Sequence, residues 1–324
     1  MWLIVGTVPS DAAPVQGAIR VTQGELVLPD ERRVPVARGT PALAATAWTF
    51  CTALGLEAPE LLLAGDTGRG DGSRRLYAWL CAHLERLAPQ GLTFHYLFPD
   101  VDWHNRVLMA ALALPRRPLL VADAGFMYVA KMSGYAGEYE LFTPDAGEMA
   151  FLADEKAPHP FYTRGFLLAE ARQVPELLRR AADGGNCARH LIVKGAKDVI
   201  ARGAEILATV ASPSVPAMEC IGGTGDIVTG LATALLAAGR PSAPACIAAA
   251  RLARLLAALC GPTPETQAGE LIQRIPELLD TDAAQEVLYA DPGLAPVREK
   301  TGRHPCATES LWGGGKEVRH DWKL

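Results

Sequence analysis

The chain contains no C-x-x-C pair: its seven cysteines, at positions 51, 81, 187, 220, 246, 260 and 306, are scattered and odd in number. That pattern excludes a zinc ribbon or a disulfide frame and fits reduced, mostly buried thiols. Basic runs are missing, and so is any interleaving of basic with aromatic residues. With a net charge of -5, neither nucleic acid nor a membrane surface is an expected partner. The start, Met1-Trp2-Leu3-Ile4-Val5-Gly6, lacks the length and basic flank of a secretory leader. The apolar run from Ala243 to Cys260 is interrupted by Arg251 and Arg254, so it reads as a core helix rather than a membrane span. A cytoplasmic protein acting on a small molecule is the expectation.

What is present suits a large core. The 324 residues are 49% hydrophobic and 21% charged, enough for one large α/β domain or two ordinary ones. Leu3 to Val8 reads as a first strand, with short strands or hairpins following through Ala37. Pro41 to Leu54 has helical spacing, and Leu61 to Ala64 is a buried strand. That strand runs into the glycine-rich loop Gly65-Asp66-Thr67-Gly68-Arg69-Gly70, and a helix follows from Arg74 to Leu87. A strand, a glycine loop and a helix in that order can present a ligand at a sheet edge, which makes Asp66 a candidate. The loop carries neither a dinucleotide fingerprint nor a P-loop, so a plain connector remains the alternative.

Pro118 to Ala122 is a second buried strand ending at Asp123, which either faces a ligand or caps the next helix. Glu140 to Pro144 is a short strand, and Asp145 and Glu148 open a helix. His159 falls in a loop and reads as a surface residue. A helix covers about 169 to 182. A strand from His190 ends at Lys194-Gly195, and a hairpin follows around Arg202-Gly203. Helices then cover 226 to 238, 243 to 259 and about 268 to 279. Alternating strands and helices predict a three-layer α/β/α sandwich on a mostly parallel sheet. One domain over residues 1–290 and an irregular tail over 291–324 are expected, with a homo-oligomer as the assembly.

The chemistry centres on Cys220-Ile221-Gly222-Gly223-Thr224-Gly225-Asp226-Ile227-Val228-Thr229-Gly230. Small residues let the backbone of Gly223, Thr224 and Gly225 curl, and helical spacing begins at once with Ile227, Leu231 and Leu235. A helix opening there aims unpaired N–H groups and its positive dipole end into the turn, which suits a phosphate. Asp226, in the first turn, is expected to stay ionised and can take a proton from a hydroxyl while the amides hold phosphoryl charge. A turn with a capping carboxylate is the plainer alternative.

These pieces resemble the ribokinase-like proteins and, more narrowly, the ADP/ATP-dependent NAD(P)H-hydrate dehydratases. The resemblance rests on Phe142-Thr143-Pro144-Asp145-Ala146-Gly147-Glu148-Met149, on Ile192-Val193-Lys194-Gly195-Ala196 and on Gly222 to Gly230, which occur in the order seen in ribokinase-like proteins. It covers residues 115 to 260 and reaches back weakly to residue 40. It implies that Asp226 deprotonates a hydroxyl of hydrated NAD(P)H, that ATP or ADP gives its terminal phosphate to that oxygen, and that elimination restores the reduced cofactor. It also implies phosphate contacts at Gly223, Thr224, Gly225, Lys194 and Gly195, and Mg²⁺ held through water near Glu148. Asp123, Asp145 and Asp66 are the further candidates for the substrate or metal region.

The chain departs from the family pattern at several points. Asp145 and Ala146 stand where the family has histidine and proline, and in an ungapped match the family's first acid after the strand falls on Ala122. Ser212 to Met218 replaces an asparagine-containing approach. A kinase for a small alcohol, such as a sugar or vitamin precursor, would use the same Asp226 and glycine turn. A nucleotide-binding protein without turnover is the third reading.

Overall fold

Strand side chains that alternate between two apolar faces need a layer of helices on each, and the computed structural model, which describes residues 1–157 and 173–289, has that form. In chain order the elements are β1 (Trp2–Val8), β2 (Val15–Gly17), β3 (Arg20–Thr22), β4 (Glu25–Val27), β5 (Arg33–Pro35), α1 (Thr40–Ala53), β6 (Glu60–Gly65), α2 (Asp71–Leu87), β7 (Gly91–His95) and α3 (Val101–Leu112). They continue with β8 (Leu119–Ala122), α4 (Phe126–Met132), β9 (Leu141–Phe142), α5 (Ala146–Leu152), α6 (Val174–Asp183), β10 (His190–Val193), β11 (Asp198–Arg202) and β12 (Glu205–Val210). The last are α7 (Thr224–Ala237), α8 (Ser242–Cys260), α9 (Ala268–Gln273), α10 (Ile275–Leu279) and α11 (Asp282–Tyr289).

The main sheet runs β12-β11-β10-β9-β8-β7-β1-β6-β2. The strands β10, β9, β8, β7, β1 and β6 are mutually parallel, and β2, β11 and β12 join antiparallel at the flanks. The chain leaves β1 for β6 on one side, then crosses to β7 on the other. The crevice outside the carboxyl ends of β1 and β7 is therefore the topological switch point, where open α/β sheets bind ligands. A separate small sheet, β3-β4-β5, follows β2.

Ile4, Leu61, Leu63, Val121, Leu141 and Ile192 bury one face of the sheet beneath α1 and α7 to α11. Leu3, Val5, Leu62, Leu92, Phe94, Leu120 and Phe142 bury the other beneath α2 to α6. Each fully buried leucine or phenylalanine contributes about 1.5–3 kcal/mol, so the sheet is held rigidly from both sides. Among the described residues α8 is the one helix long and apolar enough to cross a membrane. Its face bearing Ala245, Cys246, Ala249, Leu252 and Leu256 is buried in the protein core, as expected of the run containing Arg251 and Arg254.

Three sequence expectations shift. The helix predicted over 268 to 279 divides at Arg274, because Pro276 has no N–H to continue α9 and instead opens α10. The helix expected from Arg74 begins at Asp71. The elements β7, α3, α4 and α11 had no sequence counterpart. His159 and the tail over 291–324 lie outside the described residues.

Candidate functional site

Gly223 takes φ 94°, a left-handed conformation natural to glycine, and turns the chain directly into α7. The N–H groups of Thr224, Gly225 and Asp226, which no carbonyl of α7 can reach, open toward a cleft. Asp226 is buried in this first turn. Its Oδ2 accepts the Gly39 N–H at 2.5 Å, and its Oδ1 lies 3.0 Å from His95 Nε2. The turn at Gly39 leads straight into α1, so α1 and α7 deliver both partners from sequence positions far apart.

Asp123 follows β8 and is 2% exposed. It does not cap α4, whose N-cap is Gly125. Its carboxylate instead takes Lys194 Nζ at 3.0 and 3.1 Å, the Thr229 hydroxyl at 2.7 Å and the Ala124 N–H at 2.8 Å. Thr229 is almost one turn beyond Asp226, so Asp123 ties β8 to α7. Lys194 follows directly after β10, and its own N–H donates to the Pro144 carbonyl at 2.8 Å. Asp145 and Glu148 form a reciprocal capping box at the start of α5. The Tyr128 hydroxyl donates to Glu148 Oε1 at 2.6 Å.

The charges in this cluster depend on one another. Burial pushes Asp123 up, but the Lys194 ammonium, the His95 ring and the Thr229 hydrogen bond bring it below the ordinary carboxylate value. Burial likewise opposes ionised Asp226, and the His95 hydrogen bond, the His95 ring and the Lys194 ammonium together still hold it below the ordinary carboxylate value. Burial works against the Lys194 charge, yet the carboxylates of Asp123, Glu148 and Asp226 hold its ammonium above the ordinary value. Glu148 goes the other way: burial, then repulsion from Asp123 and Asp145, push it up to about 7 despite Lys194.

These groups share a cavity of about 740 Å³, within the usual range of small-molecule sites. Its polar end holds Asp226, Asp123, Lys194, Asp145, Glu148 and the glycine turn. Its apolar end is walled by Val215, Pro216 and Met218 before the turn and by Val228, Ala253 and Ala257 on α7 and α8. Nearly all the sequence candidates converge here.

Two of them take roles other than those expected. Asp66 is not among the residues lining this cleft; its carboxylate accepts the N–H groups of Gly68, Gly70 and Ser73 and the Ser73 hydroxyl, which fixes the loop and the start of α2. Gly195 lines the cleft, but its N–H donates to Asp198 at 3.1 Å and its carbonyl accepts from Arg254 at 2.9 Å. It therefore serves as wall rather than as amide donor. The Thr224 hydroxyl is similarly turned back toward the Met218 and Ile221 carbonyls, so only its backbone N–H faces the cleft without a helix carbonyl.

Sequence reasoning missed Gly39, Thr40, His95 and Tyr96. His95 closes β7 in the manner that Asp123 follows β8, and a histidine at the end of the run Gly91-Leu92-Thr93-Phe94 was the available signal. Tyr96 stands half exposed at the cleft edge, its φ of 49° held by hydrogen bonds at both backbone ends. Burial and the nearby Asp226 and Asp123 push its hydroxyl up to about 12.

Among the described residues, two groupings could hold a cation. One ligand atom each from His95, Asp123 and Asp226 lies within 4.8 Å of the others, but hydrogen bonds engage this set and Lys194 already supplies its positive charge. Asp145 and Glu148 are also hydrogen-bonded, but they offer hard oxygen donors at the cleft suited to Mg²⁺; burial first, and then repulsion from Asp123 and Asp145, raises Glu148, and a dication would offset that repulsion.

A family model described as NAD(P)H-hydrate dehydratase matches residues 101–277, over half of the chain. The chain belongs to the NAD(P)H-hydrate dehydratase family. The uncharacterized protein MJ1337 of Methanocaldococcus jannaschii is 34% identical over 222 residues, covering 68% of this chain and 91% of that protein. The bifunctional NAD(P)H-hydrate repair enzyme Nnr of Pyrobaculum aerophilum is 30% identical over 188 residues, 56% of this chain but only 33% of that enzyme. Among solved structures, a ribokinase-like superfamily protein of Enterococcus faecalis superposes with a TM-score of 0.55 at 15% identity, covering 88% of this chain and 87% of that one. The fold is thus ribokinase-like, and fold and family together put the chain among the enzymes of that group. The family match begins after β7, so Gly39, Thr40 and His95 lie outside it.

Proposed function

We propose that this family member is a cytoplasmic enzyme that dehydrates hydrated NAD(P)H at the expense of ATP or ADP. The observation that carries the proposal is the placement of Asp226: a buried carboxylate kept ionised, at the mouth of α7, lining an open cleft beside first-turn amides and Lys194.

In this reading the nucleotide lies along the cleft, its base against the apolar wall of Val215, Met218 and Ala257 and its terminal phosphate at Gly223 to Asp226. Asp226 takes the proton of the substrate hydroxyl as that oxygen attacks the terminal phosphorus and the bond to the leaving phosphate breaks. The amides and Lys194 hold the oxygens of the transferring group, since such transfer depends mainly on positioning and charge neutralisation. Phosphate then leaves with the C–O bonding pair as the neighbouring ring carbon gives up a proton to solvent, and the double bond so formed regenerates the reduced nicotinamide ring. Asp145 and Glu148 would hold Mg²⁺, which would neutralise phosphate charge when bound.

The test supplies hydrated NADH or NADPH with ATP or ADP and follows recovery of reduced-nicotinamide absorbance. Recovery is expected with the wild type, and Asp226→Asn should lower it by about 10²–10⁴-fold, the ordinary contribution of a general base, while nucleotide binding persists. Absence of recovery with either nucleotide rejects the reading. Release of ADP from ATP dependent on some other hydroxyl compound, and abolished by Asp226→Asn, would assign a small-molecule kinase instead.

A further inference from the structure

The His95 imidazole is fully buried and has both nitrogens engaged: Nε2 lies 3.0 Å from Asp226 Oδ1, and Nδ1 lies 3.0 Å from the Thr40 hydroxyl. A neutral imidazole has one N–H and one acceptor nitrogen, while an ionised carboxylate can only accept. Nε2 must therefore carry the hydrogen, which leaves Nδ1 to accept the Thr40 O–H. The opposite tautomer would aim a lone pair at the Asp226 carboxylate. Thr40 has one weaker alternative, the His95 carbonyl at 3.4 Å.

The rest of the molecule makes room for this chain of contacts. At Gly6 in β1, a methyl group would lie 2.4 Å from Thr40 Oγ1 and 2.7 Å from the His95 carbonyl. The ring is also faced by Asp123, 3.9 Å from Nε2 and itself bound to Lys194, and by the Tyr96 ring at a centroid distance of 4.3 Å.

The geometry points to His95 as the positioning residue of Asp226, with the Asp226 carboxylate setting the imidazole tautomer and the Thr40 hydroxyl holding Nδ1. Two donors, Gly39 N–H and His95 Nε2–H, each hold one oxygen of the carboxylate, and its orientation in the cleft is set before substrate arrives. During the reaction the acceptor's O–H breaks and a carboxyl O–H forms on Asp226, while His95 keeps its own proton. The inference rests on the reading of Asp226 as the base, and its positioning residues His95 and Thr40 lie outside the stretch matched by the family model.

Nitrogen-15 spectra of the labelled, ligand-free wild type report the tautomer, with the His95 signals assigned by their loss in His95→Gln. A proton on Nε2 and none on Nδ1 near neutral pH is expected, and Thr40→Val should leave it on Nε2, since the Asp226 carboxylate sets the tautomer, whereas Asp226→Asn should mix the two forms. A protonated Nδ1 in the wild type overturns the inference. In turnover assays His95→Phe, which keeps the ring volume but cannot donate, should lower kcat by about 10–100-fold with the nucleotide KM within about twofold. His95→Gln, whose amide can still donate, should recover part of that loss, and in an Asp226→Asn background His95→Phe should cost nothing more. Wild-type kcat in His95→Phe, or equal losses in the Phe and Gln variants, would defeat it. Should the wild type fail to turn over hydrated NAD(P)H, the proposed function falls while the tautomer spectrum still decides the role of His95.

Discussion

Replacing Glu148 with glutamine removes a titrating acid and leaves its architectural role intact. Glutamine can accept the Asp145 N–H as glutamate does, so the capping box at the start of α5 survives. In the folded protein Glu148 is pushed up from an ordinary 4.5 to about 7. Between those values the native state holds a proton that the unfolded chain has released, so stability falls as pH rises through this window. At about 1.4 kcal/mol for each tenfold change in the proton equilibrium, the cost is under about 1 kcal/mol at pH 5 and about 3 kcal/mol at pH 8. Glu148→Gln should therefore leave stability almost unchanged at pH 5 and raise it by about 2–3 kcal/mol at pH 8. Urea unfolding with a chelator present, analysed by linear extrapolation at both pH values, measures the difference. All other titrating groups are common to the two proteins and largely cancel. Parallel stability curves for wild type and variant across this range would refute the electrostatic account of the cluster, including the crowding taken to favour a dication.

Three more substitutions test the same framework. Lys194→Met leaves Asp123 buried without its cation and should destabilise by about 3–5 kcal/mol near neutral pH; acid unfolding should show the deficit shrinking once Asp123 takes up a proton. Gly223→Ala forces a side chain into a left-handed position 3.0 Å from Ala268 Cβ and Arg38 Cα, at about 1–2 kcal/mol, and calorimetry should show weakened nucleotide binding. Gly230→Ala places a methyl 2.6 Å from the Leu43 carbonyl and 2.7 Å from Thr46 Cβ; despite better helix propensity, a thermal melt should show a net loss of about 1–2 kcal/mol.

The sheet was legible wherever a strand is a pure apolar run, as at Leu61 to Ala64 and Leu119 to Ala122, because a strand buried on both faces has no polar position to hide. The strand β7 escaped because two of its five residues are polar and nevertheless buried. Thr93 is satisfied by Trp2 Nε1 and Thr233, and His95 by Thr40 and Asp226. Partners 55 to 140 residues away are invisible to any local window. The same limit left two acids undecided. Asp66 looked poised for a ligand because the strand, loop and helix around it have the right order, yet its oxygens are satisfied within seven residues. For Asp123 the local order suggested a cap equally well, whereas its true partners, Lys194 and Thr229, lie 71 and 106 residues on.

The glycines outside the motif show how strongly the site constrains the scaffold. Glycine in mid-strand or mid-helix gives up about 0.5–1 kcal/mol relative to alanine, so Gly6 and Gly230 require a compensating reason. At Gly6 the missing methyl admits Thr40, and at Gly230 it admits the backbone of α1 at Leu43. Both vacated volumes draw α1 inward, onto β1 and onto α7. That approach brings Gly39 to within 2.5 Å of Asp226 and Thr40 to within 3.0 Å of His95. A scaffold selected for stability alone would fill both positions and hold α1 farther out, leaving the Asp226 carboxylate without the Gly39 N–H and the His95 ring without the Thr40 hydroxyl.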